Sequence, residues 1–155
     1  MREFTSLDEM RALVGQEVAL SPWVEITQAQ IGMFADATGD HQWIHIDRAR
    51  CERESPFKTP VAHGFLTLSL LSTLFEQSMR MTDAKMVVNY GLNKVRFPAP
   101  VPVGSRVRAR LVLLRIDDLI DDVNPGAQIA WSVTMEREGE TKPVCVAEMI
   151  MRRYS

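Results

Sequence analysis

Asp40, His41, His45 and Asp47 fall within eight consecutive positions, directly after Gly39, in the run Gly-Asp-His-Gln-Trp-Ile-His-Ile-Asp. No other part of the chain gathers titratable groups so closely beside large apolar ones. A carboxylate beside an imidazole is a competent acid–base pair, because each favours the charged form of the other and the surroundings decide which holds the proton. With a water between them, Asp40 and His45 can deliver hydroxide character to an electron-poor carbon and a proton to its neighbour. The same pattern admits a structural account, in which Asp40 caps a turn and His45 is satisfied in the core. A second group, His63-Gly64, stands at the start of a long apolar run. Glycine there lets another group approach the backbone, and the free amides of a first helical turn can donate to a developing oxyanion such as a thioester enolate. Gly64 also fits a simple tight turn. Adjacency alone does not give His41 the geometry of acid–base work, Asp47 reads as a helix cap, and Asp36 falls on an exposed helix side.

The elements around these groups follow from period and punctuation. Residues 17–26 read as extended, with Pro22 at an edge or bulge. Thr27 and Gln30 have capping-box spacing, Ile31, Phe34, Ala35 and Thr38 form one helical stripe, and Gly39 suits a left-handed helix end. Asp40 to His45 is therefore expected as a loop leaving a packed helix. Asp47 caps a short helix from Arg48 to about Arg53, stopped before Pro56. From His63 to Met79 the pattern predicts one helix buried nearly all round, whose Thr67, Ser69, Ser72 and Thr73 can bond back to their own backbone. Val87 to Phe97 reads as a strand with a bulge at Gly91, and residues 98–102 as a non-pairing proline connector. Ser105 to Ile116 alternates Val107, Ala109, Leu111 and Leu113 with Arg106, Arg108 and Arg110, giving those arginines one solvated strand face. Asp117 to Gly126 reads as an acidic loop closing on an Asn-Pro-Gly turn signal. A strand with Ile129, Trp131, Val133 and Met135 inward, a turn at Glu138-Gly139 and a strand from Val144 to about Arg153 complete the order.

Helices followed by strands in hairpin succession indicate an α+β fold with an antiparallel sheet. One apolar helix against that sheet suggests a hot-dog plan, a curved sheet wrapped around a long buried central helix. The 155 residues, 46% apolar and 25% charged, fit a single soluble domain spanning 1–155. A net charge of −2 gives no footprint for nucleic acid. Cys51 and Cys145 match no metal or redox spacing and read as free thiols of a reducing compartment. The first residues contain no secretory apolar segment, and no run is long enough to span a bilayer, so a cytoplasmic protein without membrane partners is expected.

The pattern Phe-x4-Gly-Asp-x4-His-x-Asp from Phe34 to Asp47, followed by His63-Gly64-Phe65-Leu66 and Ser72, resembles the signature of the MaoC-like dehydratases, or (R)-specific enoyl-CoA hydratases. Gly-Asp-His-Gln-Trp-Ile-His and the segment Val88 to Phe97 are most similar to the nodulation-protein-N-like branch. The resemblance covers about residues 16–155. It implies a hot-dog homodimer that reversibly adds water to trans-2-enoyl thioesters, giving (R)-3-hydroxyacyl thioesters carried on coenzyme A or acyl-carrier protein. It implies that Asp40 and His45 are the catalytic pair, that the Gly64 amide is the oxyanion donor, and that Ser72 lines the acyl pocket; Gln42, Trp43 and His63 are also expected against the substrate, with His63 shaping the Gly64 turn. Most hydratases of this type have Asn-Pro where this chain has Gln42-Trp43. No metal or organic cofactor is expected, since metal-ligand spacings and a Gly-x-Gly-x-x-Gly run are missing from the sequence. A hot-dog acyl-CoA thioesterase and a non-catalytic acyl-binding module are the alternatives.

Overall fold

The computed structural model describes residues 1–120 and 125–155. In chain order it contains β1 (Arg2–Phe4), α1 (Leu7–Arg11), β2 (Glu17–Leu20), β3 (Val24–Glu25), α2 (Gln28–Thr38), α3 (Trp43–Ile46) and α4 (Arg48–Glu54). There follow α5 (Gly64–Ser69), α6 (Leu71–Ser78), β4 (Met79–Met81), β5 (Met86–Arg96), β6 (Arg106–Leu119), β7 (Gly126–Arg137) and β8 (Cys145–Tyr154). A six-stranded antiparallel sheet runs β2-β6-β7-β8-β5, with β3 also on β6. This is the hot-dog architecture expected from the sequence: a curved sheet with the helix of residues 64–78 packed against it.

Alternation builds the sheet's two faces. Val107, Ala109, Leu111 and Leu113 of β6 and Ile129, Trp131, Val133 and Met135 of β7 are all buried. The intervening arginines lie outward in ion pairs: Arg106 with Glu138, Arg108 with Glu136, and Arg110 with both Glu136 and Glu17. That accounts for the basic run as a paired, solvated face. Pro22 lies where the edge breaks into β2 and β3, and the register of β5 on β8 shifts at Gly91. Cys51 and Cys145 are buried free thiols, and burial pushes the Cys145 thiol up to about 11.

Four expectations need correction. The helix after His63 is interrupted at Leu70 and ends at Ser78, with Met79 opening β4. The rod continues through the interruption, since the Leu70 amide still donates to Leu66 and the Leu74 amide to Leu70. Just before it, the Ser69 hydroxyl donates to the Phe65 carbonyl at 2.7 Å, a side-chain bond of the kind that bends helices. Nor is this helix buried all round. Leu66, Leu71, Leu74 and Phe75 face the sheet, Phe75 edge-on to Trp131 at 5.4 Å, while Phe65 is 69% exposed in line with Ser69, Ser72 and Glu76. The proline connector does pair. The Ala62 amide donates to Val101 and the Val103 amide to Pro60, around a bridge between Val61 and Pro102. Proline lacks only the donor; its carbonyl and its neighbours' amides remain free to bond. Finally, Asp117 to Leu119 belong to β6, opposite Gln128 to Gly126 of β7; Asn124 of the expected Asn-Pro-Gly turn lies outside the described residues.

Sequence reading also missed β1 and β4, which form a short parallel pair in the register Arg2 to Met79. That pair ties the first residues to the end of α6. No helix among the described residues is long and apolar enough to cross a membrane.

Leu74 has no exposed surface and sits at the centre of the helix–sheet contact. Leu74→Ala is expected to destabilise the fold by about 3 kcal/mol, within the range for a buried leucine that leaves a cavity. Urea denaturation measures this as a lower midpoint with an unchanged slope.

Candidate active site

The capping box forms as the spacing requires: the Thr27 hydroxyl accepts from the Gln30 amide at 3.2 Å, and the Gln30 side chain accepts from the Thr27 amide at 2.9 Å. Ile31 and Ala35 turn inward, Phe34 packs at the core margin, and Thr38 is exposed, so the apolar stripe stops a turn early. Gly39 ends α2 with φ of 77°, a left-handed conformation that favours glycine. Asp40 follows in an exposed loop, where its carboxylate accepts from the Gln42 amide at 3.3 Å. The expected loop does not extend to His45. Residues Trp43–Ile46 form the single turn α3, which carries His45 inward. Asp47 then caps α4, accepting from the Arg50 amide at 2.9 Å.

His45 is 6% exposed, and its Nδ1 lies 2.6 Å from the Val61 carbonyl oxygen. A carbonyl can only accept, so Nδ1 carries the proton and Nε2 is left as a lone pair. Burial lowers the His45 pKa, with the neighbouring His63 adding to the effect against the Val61 bond and the Asp40 charge. The side chain is therefore a neutral base at neutral pH. One polar atom from each of Asp40, His45 and His63 lies within 4.8 Å of the others. That proximity would admit a metal ion, but the two imidazoles are stacked at 3.8 Å with planes 24° apart. His63 Nε2 is taken up by the Asp40 carbonyl while His45 keeps its Nε2 free, so the group presents one imidazole base beside a carboxylate.

Gly64 opens α5 beneath Phe97. A Cβ on Gly64 would stand 2.9 Å from Phe97 Cδ2, so the ring's close approach excludes larger residues unless it shifts. The first intrahelical donor is the Thr67 amide, to His63 at 3.1 Å; the earlier amides of the turn have no intrahelical partner. His45, Gly64, Thr67, Phe57, Phe97 and Val144 line one cavity of about 450 Å³, the size of a small-molecule site.

The structure brings Asp40, His45, His63 and Gly64 together. It does not bring in the others within one chain. Gln42 is exposed at the start of α3, and the Trp43 ring lies under the Arg50 guanidinium at 4.3 Å. Ser72 is exposed on α6 and lines a second cavity of about 420 Å³ with Phe75 and four methionines, Met79, Met81, Met149 and Met151. Sequence reading missed the Val61 carbonyl, which acts through the backbone and leaves no residue-type signal. It also missed Phe97, whose apolar ring read as an ordinary strand residue. His41 is outside the group. Its Nε2 lies 2.9 Å from Asp36, and that bond raises its pKa.

The likenesses of this chain to known proteins agree with the geometry. Residues 9–141 match the model of the MaoC like domain. The chain is 53% identical to the 3-hydroxyacyl-thioester dehydratase Z of Mycobacterium tuberculosis over 98% of each sequence. It is 45% identical to nodulation protein N of Rhizobium meliloti, over 94% of this chain and 89% of that one. Its fold superposes on an (R)-hydratase from A. caviae with a TM-score of 0.68 at 23% identity, covering 89% of this chain and 94% of that structure. The chain belongs to the MaoC-like domain family. It is an enzyme, a hydro-lyase.

Opposite shifts are expected for the two histidines on titration by NMR: His41 above the ordinary value of 6.5 and His45 below it. The linkage sign follows for His45. Its folded pKa is depressed, so the unfolded chain binds the proton first, and stability present above 6.5 is lost as pH falls below it. His45→Gln is expected to flatten the fall in unfolding free energy between about pH 7 and 5 relative to the parent.

Proposed function

We propose that the protein is an (R)-specific enoyl-thioester hydratase that reversibly adds water, syn, to trans-2-enoyl thioesters carried on coenzyme A or acyl-carrier protein. The observation that carries this reading is the approach of Asp40 and His45, with a polar atom of each within 4.8 Å, while His45 Nε2 is left free and His45 lines the cavity that also holds Gly64. The names of its relatives, a 3-hydroxyacyl-thioester dehydratase and a 3-hydroxybutyryl-CoA dehydratase, point the same way.

In the hydration direction, Asp40 and His45 hold one water facing C3 of the enoyl group. Nε2 of His45 takes a proton from that water as its oxygen bonds to C3, and the π electrons move toward the thioester carbonyl. The Gly64 amide donates to the thioester oxygen as it becomes an enolate, the kind of fixed dipole that stabilises developing charge without reorganisation. A proton from the dyad then reaches C2 on the same face. The pair supplies both proton transfers, so the reaction needs no cofactor beyond the substrate's own carrier. Ser72 enters this reading as lining of the acyl end. It lies eight residues after Gly64, about 12 Å along a helix at 1.5 Å per residue, beside the methionine-lined cavity. Gln42 and Trp43 contribute from the mouth of the site by shaping the turn between Asp40 and His45.

The same reading covers the rest of the assembly. Residues 1–155 act as one domain of a cytoplasmic homodimer. The edge of β5, which has no further strand partner among the described residues, supports the second copy, because Met86, Val88, Tyr90 and Leu92 are exposed along it. A long apolar edge strand is an aggregation hazard unless another chain covers it.

Asp40→Asn and His45→Gln are each expected to lower hydration of a short trans-2-enoyl-CoA by roughly a hundredfold or more, the usual scale for an acid–base group. Loss of the conjugated thioester absorbance measures the rate, and a cooperative urea transition shows that the variants are folded. Parent rates in both variants would move the chemistry elsewhere. Product analysis separates the thioesterase alternative: hydration adds the mass of one water, whereas hydrolysis releases free thiol. Binding of an enoyl thioester with no turnover at any chain length would leave the acyl-binding module.

A further inference from the structure

We propose that His63 is a positioning residue, whose Nε2–H clamps the backbone carbonyl of Asp40 and so locks the carboxylate loop to the start of the oxyanion helix. The inference rests on the hydratase reading of this site and assigns to His63 a role other than substrate contact.

His63 Nε2 lies 2.9 Å from the Asp40 carbonyl oxygen, across 23 residues of sequence. The carbonyl only accepts, so Nε2 is the donor and Nδ1 is left as the second ring nitrogen. Nδ1 is buried and has no hydrogen-bond partner among the described residues. The residue is 3% exposed, its ring stacked on His45 at 3.8 Å and tilted against Phe34 at 4.9 Å. Two contacts thus fix the ring, and one bond carries its polar function.

Asp40 needs such a bond. It follows a left-handed glycine in an exposed loop, and its other hydrogen bonds are long and local: 3.4 Å from its amide to Thr38, and 3.3 Å to the Gln42 amide. Among the described residues, His63 makes the one hydrogen bond that ties Asp40 to a distant part of the chain. The position of His63 sharpens the point. It is the N-cap of α5, yet its side chain caps nothing there. Serine, threonine, aspartate or asparagine would bond the helix amides from that position. An imidazole with one nitrogen left unmatched stands there instead, and the nitrogen that is used holds Asp40. The peptide carrying the carboxylate and the amide that receives the thioester oxygen are then adjacent parts of one rigid unit.

Three substitutions separate the donor from the ring. His63→Phe keeps a ring between Phe34 and His45 but has no donor, and His63→Leu serves where the larger ring does not fit. His63→Gln lacks the ring but can bring an amide N–H near the position of Nε2. Misplacing a reacting group by about 1 Å costs on the order of a hundredfold, so His63→Phe is expected to lower kcat by roughly 10- to 100-fold while KM stays near the parent value. His63→Gln is expected to restore most of kcat. The carbonyl ¹³C resonance of Asp40 provides a readout independent of turnover: it should move in His63→Phe and return toward the parent in His63→Gln. Parent kcat and an unmoved Asp40 resonance in His63→Phe would overturn the inference, as would a His63→Gln variant as impaired as His63→Phe. A parent protein that hydrates no enoyl thioester would overturn the hydratase reading instead, and the Asp40 resonance would still decide the role of His63.

Discussion

The site depends on the buried hydrogen bond from His45 Nδ1 to the Val61 carbonyl, at 2.6 Å. It fixes the tautomer of the imidazole, and with it the direction in which the basic nitrogen points. If the proton sat on Nε2, the same ring in the same place would present a donor there instead of a lone pair. Burial reinforces the arrangement by disfavouring the imidazolium before reaction. In the proposed reaction, a proton gained by His45 would therefore be readily passed on, as a general base that returns its proton to the substrate requires.

The surrounding fold holds that carbonyl still. Val61 bridges Pro102, and the amides on either side donate across the same connection, Ala62 to Val101 and Val103 to Pro60. The Val61 amide itself donates to Ile44, one residue before His45. Residues 60–62 thus bond the histidine turn on one side and the proline segment on the other, and lead directly into His63 and Gly64. The proline segment in turn continues from β5 through Phe97, whose ring covers Gly64. The anchor of His45, the Gly64 turn and the cavity wall share one short piece of backbone. The large sheet contributes by supplying the immobile surface on which Leu66, Leu74 and Phe75 seat the helix.

Much of this was legible in the sequence where a local rule decides the outcome. Thr27, Gln30 and Gly39 set the limits of α2 through capping and left-handed geometry, and Asp47 set the start of α4. Alternation in β6 and β7 named the buried face correctly, because burial on one side of a strand imposes a period of two. The misses arose where long-range packing decides. The turn at Trp43–Ile46 has no side-chain cap at Gln42 to announce it. Phe65 reads as core by residue type, yet it belongs to a helix face that the sheet of its own chain does not cover. Asp117 and Asp118 look like loop residues, and their pairing with β7 holds them in a strand. Within the site, Asp40, His45, His63 and Gly64 were recognisable as residues. The clamp on Val61 and the orientation of His63 were not, since both run through backbone carbonyls.

The most direct test of the account is the stereochemical course of hydration of a trans-2-enoyl-CoA in D₂O, read by chiral analysis and NMR of the 3-hydroxyacyl product. The (R)-specific reading predicts R configuration at C3, and a single dyad serving both carbons from one face predicts one deuterium at C2 on the same face as the new hydroxyl. An S product would contradict the (R)-specific reading, and deuterium delivered to the opposite face would contradict a mechanism in which Asp40 and His45 handle both protons.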